Sequence, residues 1–195
     1  MRRVDTGLSG PCILEPVVHG DHRGFFLETY NRDTFAALGI VRDWVQDNYS
    51  RSSRGVLRGL HYQLARPQAK LVRVTVGEVY DVALDVRRGS PTFGRWIGVV
   101  LSAENKRMLF IPEGFAHGFY VISEQAEFAY KCSDFYAPAE ERGVIWNDPQ
   151  VAIAWPLNVE RPTLSARDAA FGTLATRPTE DLPLMSGARP PGGGE

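Results

Sequence analysis

Leu71-Val-Arg-Val-Thr-Val76, then Gly77-Glu78, then Val79-Tyr-Asp-Val-Ala-Leu-Asp-Val86 is the stretch whose reading decides the fold. β-branched residues recur on both sides of a turn-type pair, which predicts two strands joined as a hairpin. Outward from it, Trp96 to Leu101, Arg107 to Ile111, Phe119 to Ile122 and Ala126 to Cys132 continue the pattern, with Gly, Pro, Ser or Asn in most gaps. Many short strands with little helical periodicity predict an all-β sandwich or barrel. Asp33 to Leu38, closed by Gly39 as a C-terminal cap, is the best short helix, and a second helical turn is expected near Ser165. From Arg177 onward, Pro178, Pro183, Pro190, Pro191 and Gly192-Gly193-Gly194 accompany too few apolar residues to pack. Residues 1–176 therefore read as a single domain and residues 177–195 as a mobile tail.

A chain of 195 residues with a net charge of -1 is long enough for a substantial core, and carries no global bias toward nucleic acid or anionic membrane. Its longest apolar runs, such as Trp96 to Leu101, fall far short of the ~20 residues that span a bilayer. The two cysteines, Cys12 and Cys132, lie far apart, and no secretory apolar segment follows Met1-Arg2-Arg3. A disulfide framework is not expected, and a reducing cytoplasm is the expected compartment. All but three of the 22 basic residues are arginine, the residue suited to bidentate capture of phosphate.

Alternation sorts the titratable residues. Lys70 has the parity of Val72, Val74 and Val76, so it either enters the apolar interior or snorkels to solvent from the strand end. Tyr130 shares parity with Ala126 and Phe128, while Glu127 and Lys131 take the opposite side. Its hydroxyl enters the interior either for chemistry or as a buried tyrosine satisfied by one hydrogen bond. His61 alone reads as a core histidine as readily as a base, and Asp168, third after Ser165, as a helix cap as readily as a catalytic carboxylate. A base, an acid and a cation facing one cavity would point together to proton transfer.

Gly55-Val-Leu-Arg-Gly-Leu-His61-Tyr-Gln63, followed by Lys70 and Gly77, resembles the first motif of the cupin superfamily, which holds a metal through His-x-His and a downstream Glu. Here Gln63 stands at the second His position and Lys70 at the Glu position. Pro112-Glu-Gly-Phe-Ala-His117 resembles the second motif and keeps its His. Two imidazoles make a poor site for Zn or Fe, so no metal is expected. The Lys70 ammonium can instead stabilise an enolate oxygen, the task a Lewis acid performs in proton abstraction beside a carbonyl. Inversion through a planar enolate needs a base on one face and an acid on the other, and His, with an ordinary pKa near 6.5, suits abstraction at neutral pH.

Nearly the whole chain to about Gly172 resembles the dTDP-4-dehydrorhamnose 3,5-epimerase family. The matching segments are His19-Gly-Asp-His-Arg23-Gly-Phe-Phe-Leu-Glu28, Gln46-Asp-Asn48, Val56 to Gln63, Gln68-Ala-Lys70-Leu-Val, Gly89 to Gly94, Ile111 to Phe119, Trp146-Asn-Asp-Pro149 and Leu164 to Asp168. The resemblance implies a cupin-type jelly-roll barrel with a few short helices. It implies a homodimer that inverts C3 and C5 of a 4-keto-6-deoxy sugar attached to dTDP without any cofactor, in the synthesis of dTDP-L-rhamnose. By it, His61 is the general base, Asp168 its carboxylate partner, Lys70 the enolate stabiliser and Tyr130 the acid. Arg58 lies near the phosphates, Gln46 and Asn48 contact nucleotide or sugar, Tyr136 is an aromatic beside the base, and His117 lines the sugar pocket. Arg23 and Glu28 are lent by the neighbouring subunit. Arg167 stands where the family commonly has Lys.

Strict alternation puts Arg58 and His61 on opposite faces of a strand, so one site can receive both only if the strand bulges, most simply at Gly59. Alternative readings are an epimerase that inverts only C5 or only C3, a metal-dependent cupin enzyme, and a non-catalytic sugar-binding cupin.

Overall fold

The computed structural model describes residues 1–185. Its strands are β1 (Arg2–Asp5), β2 (Cys12–Glu15), β3 (Val18–Asp21), β4 (Gly24–Leu27), β5 (Gln46–Ser53), β6 (Leu57–Gln63), β7 (Lys70–Val76), β8 (Glu78–Asp85), β9 (Trp96–Ser102), β10 (Met108–Ile111), β11 (Phe115–Val121), β12 (Gln125–Cys132) and β13 (Glu141–Gly143). They form a six-stranded sheet in the order β1-β2-β10-β7-β12-β5, a five-stranded sheet in the order β13-β6-β11-β8-β9, and the separate hairpin β3-β4. The architecture is the cupin-type jelly roll, two antiparallel sheets closed face to face. Helix α1 (Arg32–Ala37) starts where the Asn31 side chain accepts from the Asp33 and Thr34 N–H groups, and it ends before Gly39 at φ 78°. Helix α2 (Ala166–Ala169) is capped by Ser165, whose hydroxyl accepts from the Asp168 N–H.

The expected hairpin between residues 71 and 86 is not formed. β7 pairs with β10 and β12, whereas β8 pairs with β11 and β9, so Gly77 carries the chain from one sheet to the other. Its φ is 75°, and a Cβ there would lie 2.0 Å from the Gln125 carbonyl oxygen. Consequently Val72 and Val74 face Val79 and Ala83 across the core instead of lying beside them. Local alternation reports which side chains point inward; it does not report which strand lies alongside.

Apolar contacts on three levels fix this frame. Between the sheets, Val72, Val74 and Phe128 pack with Val79, Leu101, Phe119 and Val121. The outer face of the six-stranded sheet is covered by Phe35 of α1 and by Ile40 just beyond the helix, against Leu14, Leu71 and Phe110. The outer face of the other sheet carries Leu60, Tyr62, Val82 and Leu84 under Val151, Leu174 and Leu182. β8 is buried on both faces, which explains its nearly continuous apolar sequence.

Residues 177–185, expected as the start of a mobile tail, pack instead. Leu182 joins the outer cluster, Tyr62 donates to the Asp181 carbonyl at 2.9 Å, Arg142 pairs with the Asp181 carboxylate, and Arg88 and Met185 exchange backbone hydrogen bonds with Pro183 and Arg88. A few anchoring contacts hold an apolar-poor segment that composition alone left unplaced. The remaining residues of that tail, 186–195, lie outside the described residues.

β6 carries the bulge anticipated at Gly59. His117 pairs with His61 and Phe119 with Arg58, so Gly59 and Leu60 oppose Gly118 alone. Gly59 has φ 111°, and a Cβ on it would lie 2.6 Å from both Gly118 Cα and the His117 carbonyl oxygen. Gly59→Ala is therefore expected to lower the unfolding free energy by about 2–4 kcal/mol in urea titration, by overpacking and an unfavourable φ together. A loss below about 1 kcal/mol would show that the bulge tolerates a side chain.

Candidate active site

One end of the space between the sheets is filled with apolar side chains, and the other is a cavity of about 350 Å³ walled by polar ones. β5 sends Gln46, Asn48 and Ser50 into it, β6 sends Arg58 and His61, β7 begins it with Lys70, β11 adds His117, and β12 adds Tyr130 and Cys132. The bulge is what lets Arg58 and His61 face the same cavity. Tyr136, Glu141 and Arg167 stand on its wall.

His61 Nε2 lies 2.7 Å from Asp168 Oδ1, and the Gly59 N–H approaches Asp168 Oδ2 at 3.4 Å. Ser165, not Asp168, supplies the side chain that caps α2. Its backbone N–H is the group capped by Ser165, while its side chain turns away from the helix to the histidine. Burial pushes the Asp168 carboxyl up, but the hydrogen bond and charge of His61, with help from Gly59 and Ser165, outweigh it and hold the pKa below the ordinary carboxylate range. An ionised carboxylate only accepts, so Nε2 carries a proton toward Asp168, and in the neutral form of the ring the lone pair is on Nδ1. Phe171 packs edge-on against the His61 ring at 5.7 Å and occupies the space that a side chain at Gly143 would fill.

Lys70 is the interior lysine that alternation allowed. Burial lowers its pKa, opposed by Cys132, Glu141 and Asp81. Burial pushes the Tyr130 phenol up to about 12, so it is protonated at neutral pH and able to donate. Among the described residues, neither the Lys70 ammonium nor the Tyr130 hydroxyl has a hydrogen-bonding partner, although both face the cavity. Interior polar groups are normally paired, so two that are held unpaired beside a His–Asp pair are arranged for something that enters.

Arg58 donates from Nε to the Ser52 hydroxyl at 3.1 Å, which leaves the rest of its guanidinium to the cavity. Gln46 donates to Asn48 at 3.0 Å and accepts from the Tyr136 N–H at 2.9 Å, tying the cavity's rim to β5. Tyr136 lines the same cavity as His61. It stands half exposed at the cavity mouth with its hydroxyl between Arg167 and Glu141, and Phe171 packs against the His61 ring. Gln63, at the lost ligand position, is structural. Its amide donates to the Arg66 and Phe135 carbonyls and accepts from the Ala137 N–H, holding the loop before β13.

Arg23 and Glu28 are not brought to this cavity within one chain. Arg23 sits at the tip of the β3-β4 hairpin in a bidentate pair with Asp21, and Glu28 accepts from the Thr34 hydroxyl. Sequence reading missed Asp81, Glu141 and Phe171. Asp81 carried a signal, since it shares inward parity with Val79 and Ala83; the other two lie in segments without periodicity. Among the described residues there is no group of three or more His, Cys, Asp or Glu that could hold a metal ion, and no helix is long and apolar enough to cross a membrane.

Residues 5–176 match the family model described as dTDP-4-dehydrorhamnose 3,5-epimerase. A Pseudomonas aeruginosa protein of that name is 61% identical over 169 residues, which cover 86% of this chain and 93% of the relative. The crystal structure of a dTDP-6-deoxy-D-glucose-3,5-epimerase from Legionella pneumophila, in complex with dTDP-4-keto-L-rhamnose, superposes with a TM-score of 0.92 at 52% identity and covers 94% of this chain and 98% of that one. A 3'-monoepimerase from Streptomyces bikiniensis, in complex with dTDP-quinovose, superposes at 0.85 with 41% identity and 91% of each chain covered.

The lowered pKa of Asp168 sets the sign of a pH effect. A carboxyl whose folded pKa lies below its unfolded value stabilises at pH above the unfolded value of about 3.9, and that contribution is lost as pH falls through the folded one. The melting temperature of the wild type should therefore exceed that of Asp168→Asn by most above about pH 5, and the gap should close as the pH drops below about 4. A gap independent of pH would mean that Asp168 is not held ionised by His61.

Proposed function

This chain belongs to the dTDP-4-dehydrorhamnose 3,5-epimerase family, and we propose that it converts dTDP-4-dehydro-6-deoxy-D-glucose to dTDP-4-dehydro-L-rhamnose by inverting C3 and C5 in turn. The observation that carries the reading is the His61–Asp168 pair facing the same cavity as an unpartnered ammonium and an unpartnered phenol. His61 Nδ1 takes the proton from the carbon beside the C4 ketone, and Asp168 stabilises the imidazolium that results. The Lys70 ammonium stabilises the enolate oxygen, in the place of the metal that a cupin with His-x-His would use. The Tyr130 phenol returns a proton to the opposite face. Each pKa unit by which the base and the carbon acid differ costs about 1.36 kcal/mol, so enolate stabilisation is the term the reaction depends on most. Arg58 grips the phosphates, and Gln46, Asn48, His117 and Tyr136 contact the nucleotide or sugar. Residues 1–176 form the catalytic unit, and the chain works in the cytoplasm as the epimerising step toward dTDP-L-rhamnose.

Turnover in deuterated water tests this directly. The product is expected to carry deuterium at both C3 and C5. Deuterium at a single carbon would contradict 3,5-epimerisation and favour the one-carbon inversion of the Streptomyces bikiniensis relative. His61→Ala should lower kcat by about 10³-fold.

The working unit in this reading is a homodimer in which Arg23 and Glu28 complete the partner's site. Support comes from the protruding β3-β4 hairpin, where Phe25 and Phe26 are 62% and 70% exposed. Mixing inactive His61→Ala with inactive Arg23→Ala after unfolding and refolding together should restore activity, because a mixed dimer contains one intact site. A mixture as inactive as its components would overturn the shared site.

A further inference from the structure

Behind the cavity lies a second histidine–carboxylate pair. Asp81 is wholly buried on β8, and both its carboxylate oxygens lie 3.0 Å from His117 Nε2. The His117 ring is stacked on Phe128 at 6.0 Å, and Phe128 is stacked on Phe119 at 4.3 Å, so packing restrains the plane of the imidazole while the Asp81 bond sets which edge is turned to the cavity. His117 lines the cavity, yet its Nδ1 has no partner among the described residues. Burial and the neighbouring charges of Lys70 and His61 lower the pKa of His117 against the opposing pull of Asp81. Burial pushes the Asp81 carboxyl up, opposed by the charge and hydrogen bond of His117 and by the charge of Lys70.

We propose that Asp81 is a positioning residue for the epimerisation: it locks His117 as an Nε2–H imidazole whose Nδ1 accepts a hydrogen bond from a hydroxyl of the keto sugar. The inference rests on the epimerase reading. An imidazole held with the acceptor nitrogen forward selects a sugar that presents a hydroxyl there, and an anchored hydroxyl keeps the ketone oxygen in register with the ammonium. A hydrogen bond of this kind, lost from an interior site, is worth roughly 10- to 100-fold in rate.

The first test needs no variant. In long-range proton–nitrogen correlation spectra of histidine-labelled wild type at pH 7.5, His117 is expected as the neutral Nε2–H tautomer. A doubly protonated ring or an Nδ1–H tautomer overturns the proposal. The second test is Asp81→Asn, which keeps shape and removes charge. It is expected to lower kcat on the order of 30-fold, to scramble the His117 tautomer, and to leave dTDP affinity within about twofold, because the nucleotide is held elsewhere. A kcat within about threefold of wild type, or a dTDP affinity that falls in step with kcat, assigns Asp81 a structural role only and overturns the proposal. Should that variant fail to fold, His117→Gln and His117→Leu decide. Gln, able to donate to Asp81 and still accept from the sugar, should retain about tenfold more activity than Leu; equal losses overturn the proposal. Wild type that fails to turn over the dTDP-keto sugar would count against the epimerase reading, while the His117 tautomer would still decide the role of Asp81.

Discussion

The bulge of β6 at Gly59 is the constraint on which the site depends. A regular strand would send Arg58 and His61 to opposite faces; one extra residue opposite Gly118 turns both into the cavity. The same kink exposes the Gly59 N–H to Asp168, so the strand that delivers His61 also helps hold the carboxylate paired with it. Only glycine meets the two demands made there, a positive φ and a backbone 2.6 Å from where a Cβ would stand. Arg58 and His61 are thereby fixed relative to one another within four consecutive residues, which is the positional rigidity that proton abstraction at a defined carbon would require.

Around that kink the charges are arranged in depth. Each histidine of the two cupin-like motifs is backed by a buried carboxylate, His61 by Asp168 and His117 by Asp81. The lysine lines the same cavity, at the position of the lost metal ligand. The arrangement keeps each charge compensated from behind while leaving its working edge forward, so that desolvation strengthens the field at the cavity without leaving an unpaired carboxylate in the core. Phe171 against His61 and Phe128 against His117 restrain the two rings by packing, which gives orientation at little cost in polar desolvation.

Much of this was legible in the chain. The inward parity of Lys70 and Tyr130 follows from alternation, and the bulge follows from the conflict between Arg58 and His61. The cross-sheet step at Gly77 was not legible, because a strand's apolar pattern is the same whether its successor lies beside it or across the core. β5 escaped for the opposite reason. Its inward residues Gln46, Asn48, Ser50 and Ser52 are polar because they face the cavity and Arg58, and a strand that lines a polar site carries no apolar period. Asp81 was visible as a carboxylate on an apolar face, but what it touches depends on β11, which is distant in sequence. Asp168 shows the limit from the other side, since its spacing described the cap correctly and was silent on the side chain. Residues 177–185 are held by a few specific contacts that composition does not record.

The central claim is that the ketone of the bound sugar lies between the His61–Asp168 pair and the Lys70 ammonium. A crystal structure of this protein with an unreactive dTDP-linked 4-keto sugar analogue measures that directly. The account predicts the C4 oxygen within hydrogen-bonding distance, about 2.7–3.2 Å, of Lys70 Nζ, and the His61 ring and Tyr130 hydroxyl on opposite faces of the sugar. A ketone turned away from Lys70, or His61 and Tyr130 on the same face, would contradict it.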